Sequence, residues 1–203
     1  LLSSQVDTTQ KLKPEGDKSV KFRNNTKPLL WVYVPEETGV VKWNSFMGRD
    51  RDEKYLAIYR LCLNSIMLHN SKDFHIVLLH KENVSYYLPE FKFPANTGDV
   101  NLKSLRYSIL NEYGGVFMPI HTLCFQPLIS LYMSNINRSD KEVFVFGNID
   151  SPIVFARNGE TTSAFAKDYE ERKNGLRGGS AFDEVPTILA DKLKVEILDD
   201  TLI

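Results

Sequence analysis

The chain has 203 residues, of which 42% are hydrophobic and 11% aromatic, so its composition suits one compact domain with a large core. Its 25 basic and 26 acidic residues are spread along the sequence and leave a net charge of −1, which gives no electrostatic reason to expect nucleic acid or an anionic membrane as a partner. No apolar run approaches the about 20 residues that cross a bilayer. We expect a polar arm or stem over residues 1–27 and one domain over residues 28–203, with any membrane attachment only through an anchor removed from the chain.

Unbroken hydrophobic stretches predict buried strands, and apolar residues at helical spacing predict the helices between them. The alternation predicts an α/β domain with a mainly parallel sheet, whose ligands bind at the carboxyl ends of the strands. This directs attention to the ends of LLWVYV and VFMPI. In chain order we predict a strand at 29–34, a helix at 52–70, a strand at 74–80, a helix at 100–113, strands at 116–120, 142–148 and 152–158, helices at 161–172 and 182–193, and a strand at 194–198.

Several common chemistries have no support in the sequence. It contains neither a G-x-G-x-x-G nor a G-x-x-x-x-G-K-[ST] phosphate-binding motif, and the four histidines are not spaced as a zinc site. Cys62 and Cys124 lie among hydrophobic residues and are expected to pack in the core.

The segments LLWVYV, CLNSIMLHNSKDFHIVLLHKENVSYYLPEF and LKSLRYSILNEYGGVFMPIHTLCFQPL carry a family resemblance. Over roughly residues 29–128 the chain resembles the capsular-polysaccharide-synthesis sugar transferases, relatives of the family 32 glycosyltransferases. The resemblance implies a GT-A-like, Rossmann-like fold and transfer of a hexose from a UDP- or GDP-hexose to a glycan or glycoprotein acceptor. A secretory or Golgi, viral, or bacterial capsule-pathway setting is compatible with it.

The resemblance also identifies donor-binding candidates, although its metal-binding residues are replaced. Arg106 matches the family's arginine, Lys103 stands where the family has an aspartate, and Pro119 and His121 stand where it has a D-x-D pair. The family implies Mn²⁺ or Mg²⁺, but proline offers no side-chain ligand, so no metal is expected in the usual manner. Lys103, Arg106 and His121 would instead form a cationic cradle for the donor diphosphate. The structural alternatives are pairing of Arg106 to Glu112 or another acid, a solvated helix lysine at Lys103, and a turn residue without a chemical role at His121.

Four further residues are candidates for the donor site. Gly114 and Gly115 end the helix before VFMPI and would allow a ligand to approach the backbone closely. Trp31 and Tyr33 in the first strand would offer an aromatic platform for the base or sugar, with core packing as the alternative.

The catalytic candidates are Asp150, Asp183 and Glu184, any one of which would be the general base of an inverting transferase. A retaining transferase needs no such base, because the leaving phosphate accepts the proton. The predicted function is hexose transfer, and the alternative is an inactive GT-A-like protein that binds carbohydrate or partners an active transferase.

Overall fold

The computed structural model describes residues 27–35, 52–93, 99–137, 140–147, 151–174 and 194–199. Residues 1–26 of the predicted arm and the predicted helix at 182–193 lie outside the described residues.

The described elements confirm an α/β domain with a mostly parallel sheet flanked by helices, and each predicted strand is present. Among the described helices, none has the length and hydrophobicity that crossing a bilayer requires. The strands are β1 (Leu29–Tyr33), β2 (His75–Leu79), β3 (Gly115–Pro119), β4 (Val143–Phe146), β5 (Val154–Ala156) and β6 (Val195–Leu198). The helices are α1 (Asp52–Asn70), α2 (Lys81–Tyr87), α3 (Asp99–Tyr113), α4 (Ile129–Ile136) and α5 (Glu160–Lys173).

The strand order in the six-stranded sheet is β2-β1-β3-β5-β4-β6. β1 is parallel to β2 and β3, and β4 is parallel to β6, whereas β5 is antiparallel to both β3 and β4. The carboxyl ends of five strands therefore meet the amino end of β5 on one side, which we call the carboxyl end of the sheet.

Two hydrophobic clusters cover the two faces of the sheet. On one face, Trp31 and Phe117 pack with Leu105 of α3 and Phe165 of α5. Tyr107 lies between these two helices, with its ring stacked 4.8 Å from that of Phe165.

On the other face, Val32 and Met118 pack with Ile66 of α1 and Tyr132 of α4. Cys62 and Cys124 are both buried and free, as their hydrophobic context predicts.

A buried carboxylate joins the starts of α5 and β6. The Thr161 N–H donates to Glu142 Oε2 at 2.7 Å, and Lys194 Nζ lies 3.4 Å from Glu142 Oε1. An anion at a helix amino terminus accepts otherwise unpaired N–H groups and interacts favourably with the helix dipole. Glu142 therefore stabilises the junction between the last described helix and the edge strand.

We expect Glu142→Gln to lower the free energy of unfolding by about 1–2 kcal/mol at neutral pH. Burial raises the pKa of the Glu142 carboxyl, but hydrogen bonds from Thr161 and the charge of Lys194 outweigh it and hold this pKa below the ordinary value of 4.5. Because the folded pKa is the lower one, the contribution is complete above the unfolded pKa and disappears as pH falls through the folded pKa.

Urea unfolding of both proteins, from neutral pH to below the ordinary glutamate pKa, measures this difference. The difference in the free energy of unfolding between the wild type and Glu142→Gln should shrink as the solution becomes acidic. A difference that stays constant over this range would contradict the electrostatic account.

Candidate functional site

The carboxyl end of the sheet is the natural place for a ligand, because open α/β sheets bind ligands there. Helix α3 ends at Tyr113 and β3 begins two residues later, so the helix runs back across the sheet in the opposite direction. Its amino-terminal half, which carries Lys103, therefore lies toward the carboxyl end, and Arg106 is at the middle of the helix.

Arg106 is the central side chain of this region, and it is only 3% exposed. Its Nη1 donates a hydrogen bond to the carbonyl oxygen of Ser151, which precedes β5. Its guanidinium carbon lies 5.8 Å from the ring centroids of both Tyr107 and Phe117. The guanidinium is thus held at the carboxyl end by one carbonyl and two aromatic rings.

This environment leaves the Arg106 charge incompletely compensated. Within the described part of the chain, Nε is buried without a hydrogen-bond partner, and no carboxylate pairs with the guanidinium. A buried unpaired donor costs about 1–3 kcal/mol, whereas a cation–π contact returns about 0.5–2 kcal/mol. An anion that accepted the Nε–H would offset the remaining cost of burying this donor, since arginine forms strong hydrogen bonds with carboxylate and phosphate oxygens.

Lys103 lies one helical turn before Arg106 and is also buried, with 7% of its surface exposed. Residues three apart on a helix are neighbours on the same face. Two buried cationic side chains therefore share the face of α3 that approaches the carboxyl end. By contrast, Glu112, the structural alternative partner of Arg106, is exposed farther along the helix.

Pro119 is buried at the end of β3, in register with Tyr33 of β1. The next residue donates its N–H to the Tyr33 carbonyl at 2.8 Å, so the Pro119 nitrogen faces the β5 side. The last β3–β5 pair is Phe117 with Val154, two residues earlier. Because no ladder hydrogen bond is required at Pro119, the sheet accepts a proline there.

His121 lies in the turn after β3 and is exposed. Its position places it at the carboxyl end of the sheet, and the described residues give its imidazole no hydrogen bond or ion pair. His121 is therefore available to solvent, whereas Lys103 and Arg106 are enclosed.

The two aromatic candidates of β1 occupy different environments. Trp31 is completely buried, its indole N–H donates to the Gly114 carbonyl at 3.0 Å, and its ring contacts those of Tyr87 and Tyr113. Burial raises the pKa of both tyrosines. Trp31 consequently fills the core, which is the alternative role that its strand position allows.

Tyr33 is half-buried at the carboxyl end of β1, where its ring stacks 6.4 Å from that of Phe117. Phe117 also contacts Arg106, so Tyr33 and Arg106 both lie beside the same aromatic ring. Tyr33 is therefore placed closer to the candidate site than Trp31.

Gly114 and Gly115 both have positive φ angles, of 66° and 101°. They connect α3 to β3 at the amino end of the strand, so they lie away from the carboxyl end. Their conformations reverse the chain between helix and strand.

The three catalytic candidates, Asp150, Asp183 and Glu184, lie outside the described residues. Among the residues that are described, no group of three or more histidine, cysteine, aspartate and glutamate side chains could hold a metal ion.

The partners of Arg106 were not identified from the sequence. Phe117 could have been found, because it lies two residues before Pro119 and strand alternation puts both on one face. The Ser151 carbonyl gives no sequence signal, since any residue supplies one.

Comparison with known proteins adds no assignment to this geometry. No protein-family model matches the chain, and no curated protein matches it significantly.

Proposed function

We propose that this chain is a GT-A-like glycosyltransferase, which moves a hexose from a UDP- or GDP-hexose to a glycan or glycoprotein acceptor. The observation that carries the proposal is Arg106, a buried guanidinium with an unpartnered N–H among the described residues, at the carboxyl end of an α/β sheet. The order of helix, arginine, Tyr-Gly-Gly and strand supports the same reading through its resemblance to the family.

In this reaction the bond between the anomeric carbon and the donor phosphate breaks, and a bond to an acceptor oxygen forms. The nucleoside diphosphate leaves with additional negative charge, which a preorganised cation stabilises most effectively in a site without water. Arg106 would bind the diphosphate through its guanidinium, whose Nε–H has no partner among the described residues, and Lys103 on the same helical face would add a second positive charge. The acceptor proton passes to a carboxylate, with Asp150, Asp183 and Glu184 as candidates, or to the leaving phosphate.

The donor set does not fit the metal ion that the family resemblance implies. Mn²⁺ and Mg²⁺ prefer several oxygen ligands, whereas the corresponding positions hold a proline, a histidine and a lysine. We therefore assign charge neutralisation to the arginine and lysine.

A second function, carbohydrate binding or partnership without catalysis, is favoured by the loss of the acidic pair, whose positions hold Pro119 and His121. The sheet accepts Pro119 because no ladder hydrogen bond is required at the end of β3. The two functions differ in whether a donor is consumed.

Incubation with UDP- and GDP-hexoses, with manganese and with a chelator, tests the proposal. The measured quantities are released nucleoside diphosphate and mass added to a panel of glycan acceptors. We expect release that survives the chelator and is lost in Arg106→Met, but not in Arg60→Met, whose exposed cation lies on a helix across the sheet. Glycan binding without consumption of any donor would favour the second function.

A further inference from the structure

Large apolar side chains project from α1 and from the turn that follows β3. On α1, Leu68 is 79% exposed and Leu61 is 61% exposed. In the turn, Phe125 is 74% exposed and Leu123 is 37% exposed. Exposed hydrophobic residues that occur singly are ordinary, but a contiguous group marks an interaction surface.

These residues form one patch because α1 and the turn are hydrogen-bonded to each other. The Cys124 N–H donates to Ser65 Oγ at 3.0 Å. Leu61 and Leu68 lie four residues before and three after Ser65, so they share its face of the helix. Leu123 and Phe125 flank Cys124. We call these four residues, Leu61, Leu68, Leu123 and Phe125, the apolar patch.

Cations border the helical part of the apolar patch in the sequence. Residues 61–71 and 113–137, which carry the patch, contain no Asp, Glu, Lys or Arg. Exposed Arg60 and Lys72 lie immediately before and after the first of these segments. Asp73, the carboxylate that follows, is half-buried. Exposed Glu112 precedes the second segment, but it lies at the amino end of β3, whereas the turn of the patch follows the carboxyl end of that strand. The cations therefore border the α1 part of the patch.

We propose that the apolar patch rests on the surface of a lipid bilayer. Leucine and phenylalanine tips enter the boundary between headgroups and acyl chains, while flanking arginine and lysine side chains reach the phosphates. The patch combines a helix with a protruding turn, and a deformable lipid surface accommodates such projections without a complementary shape. A second copy of the chain would have to match both elements at once.

Vesicle binding by the apolar patch does not depend on the proposed function. His121 lies two residues before Leu123 and is therefore placed close to the membrane surface. Under the proposed transferase function, an acceptor reached from this side is anchored in lipid.

Sedimentation of the full chain with vesicles tests the proposal. The vesicles contain phosphatidylcholine alone or phosphatidylcholine with phosphatidylserine. We expect the wild type to bind both and the mixed vesicles more tightly, because Arg60 and Lys72 meet anionic headgroups. Leu68→Ser and Phe125→Ser should each weaken binding about tenfold, since each removes most of one buried apolar side chain.

The matched control is Ile197→Ser, which removes a side chain that is 55% exposed on the edge strand β6. It should bind vesicles like the wild type, and circular dichroism should show that all three variants fold. Failure of the wild type to bind either vesicle overturns the proposal, as does equal binding by the wild type and a Leu68→Ser/Phe125→Ser double variant. A dimer in light scattering that the double variant abolishes, without vesicle binding, would assign the patch to a second copy instead.

Discussion

Gly115→Ala is expected to destabilise the domain by about 3 kcal/mol or more. Gly115 has a φ of 101°, which side chains of L-residues rarely adopt. A Cβ at this position would lie far inside the van der Waals distance of the Leu29 carbonyl oxygen. Because Leu29 begins the adjacent strand β1, neither backbone can move without disturbing the centre of the sheet.

Gly114→Ala is the matched control, since its φ of 66° lies in the left-handed helical region and the new Cβ would lie 3.3 Å from the Ala156 carbonyl oxygen. It should cost about 1–2 kcal/mol, the usual penalty of that region plus a tight contact. Urea unfolding at neutral pH measures both variants. Equal and small losses of unfolding free energy in the two variants would mean that the backbone between α3 and β3 relaxes easily, which would contradict the expected clash at Gly115.

Arg106→Met is expected to lower affinity for a nucleotide sugar at least tenfold while leaving the free energy of unfolding within about 1 kcal/mol of the wild type. Methionine retains apolar contact with Phe117 and Tyr107 but removes the buried charge and its unpartnered N–H. Replacing a buried ion by an apolar residue of similar length is often neutral or stabilising. Unchanged stability with lost affinity is therefore the signature of a binding residue.

Calorimetric titration and urea unfolding of the same preparations give the two quantities. Arg106→Lys keeps the charge but loses the planar pair of donors, so its affinity should fall between those of the wild type and Arg106→Met. A large loss of stability in Arg106→Met with unchanged affinity would show that the guanidinium serves only the fold.

The sequence predicted the central strands and longest helices because their patterns are strong and local. β1 and β3 are continuous hydrophobic runs, and α1 begins and ends at the residues that its acidic start and Asn70 indicated. Burial on both faces of a parallel strand leaves this unbroken pattern in the sequence.

Two helices were not predicted, because neither begins after a usual capping residue: a local contact caps the start of α2, and a long-range contact caps the start of α4. α2 has no serine, threonine or aspartate before it. The Asn83 side chain instead accepts the His80 N–H at 2.9 Å and donates to the Leu78 carbonyl at 2.8 Å. At α4, the Leu128 N–H donates to Asn70 Oδ1 at 2.9 Å, from a residue at the end of α1.

The direction of β5 was equally beyond sequence reasoning. Its core residues, Val154–Ala156, form a short buried run that would suit either direction. Its antiparallel pairing brings Ser151 to the carboxyl end of the sheet, where its carbonyl meets Arg106. The alignment of α3 with the strand ends was predictable, but the burial of Arg106 depends on this reversal.

The central claim is that Arg106 and its neighbours bind a diphosphate without a metal ion. Calorimetric titration with UDP, GDP and their hexose conjugates, each in manganese and again in chelator, tests it most directly. We expect binding of similar affinity in both conditions. Binding only in manganese would contradict the account and direct the search for ligands to Asp150. Absence of binding in both would contradict it too, and would favour a protein that binds carbohydrate alone.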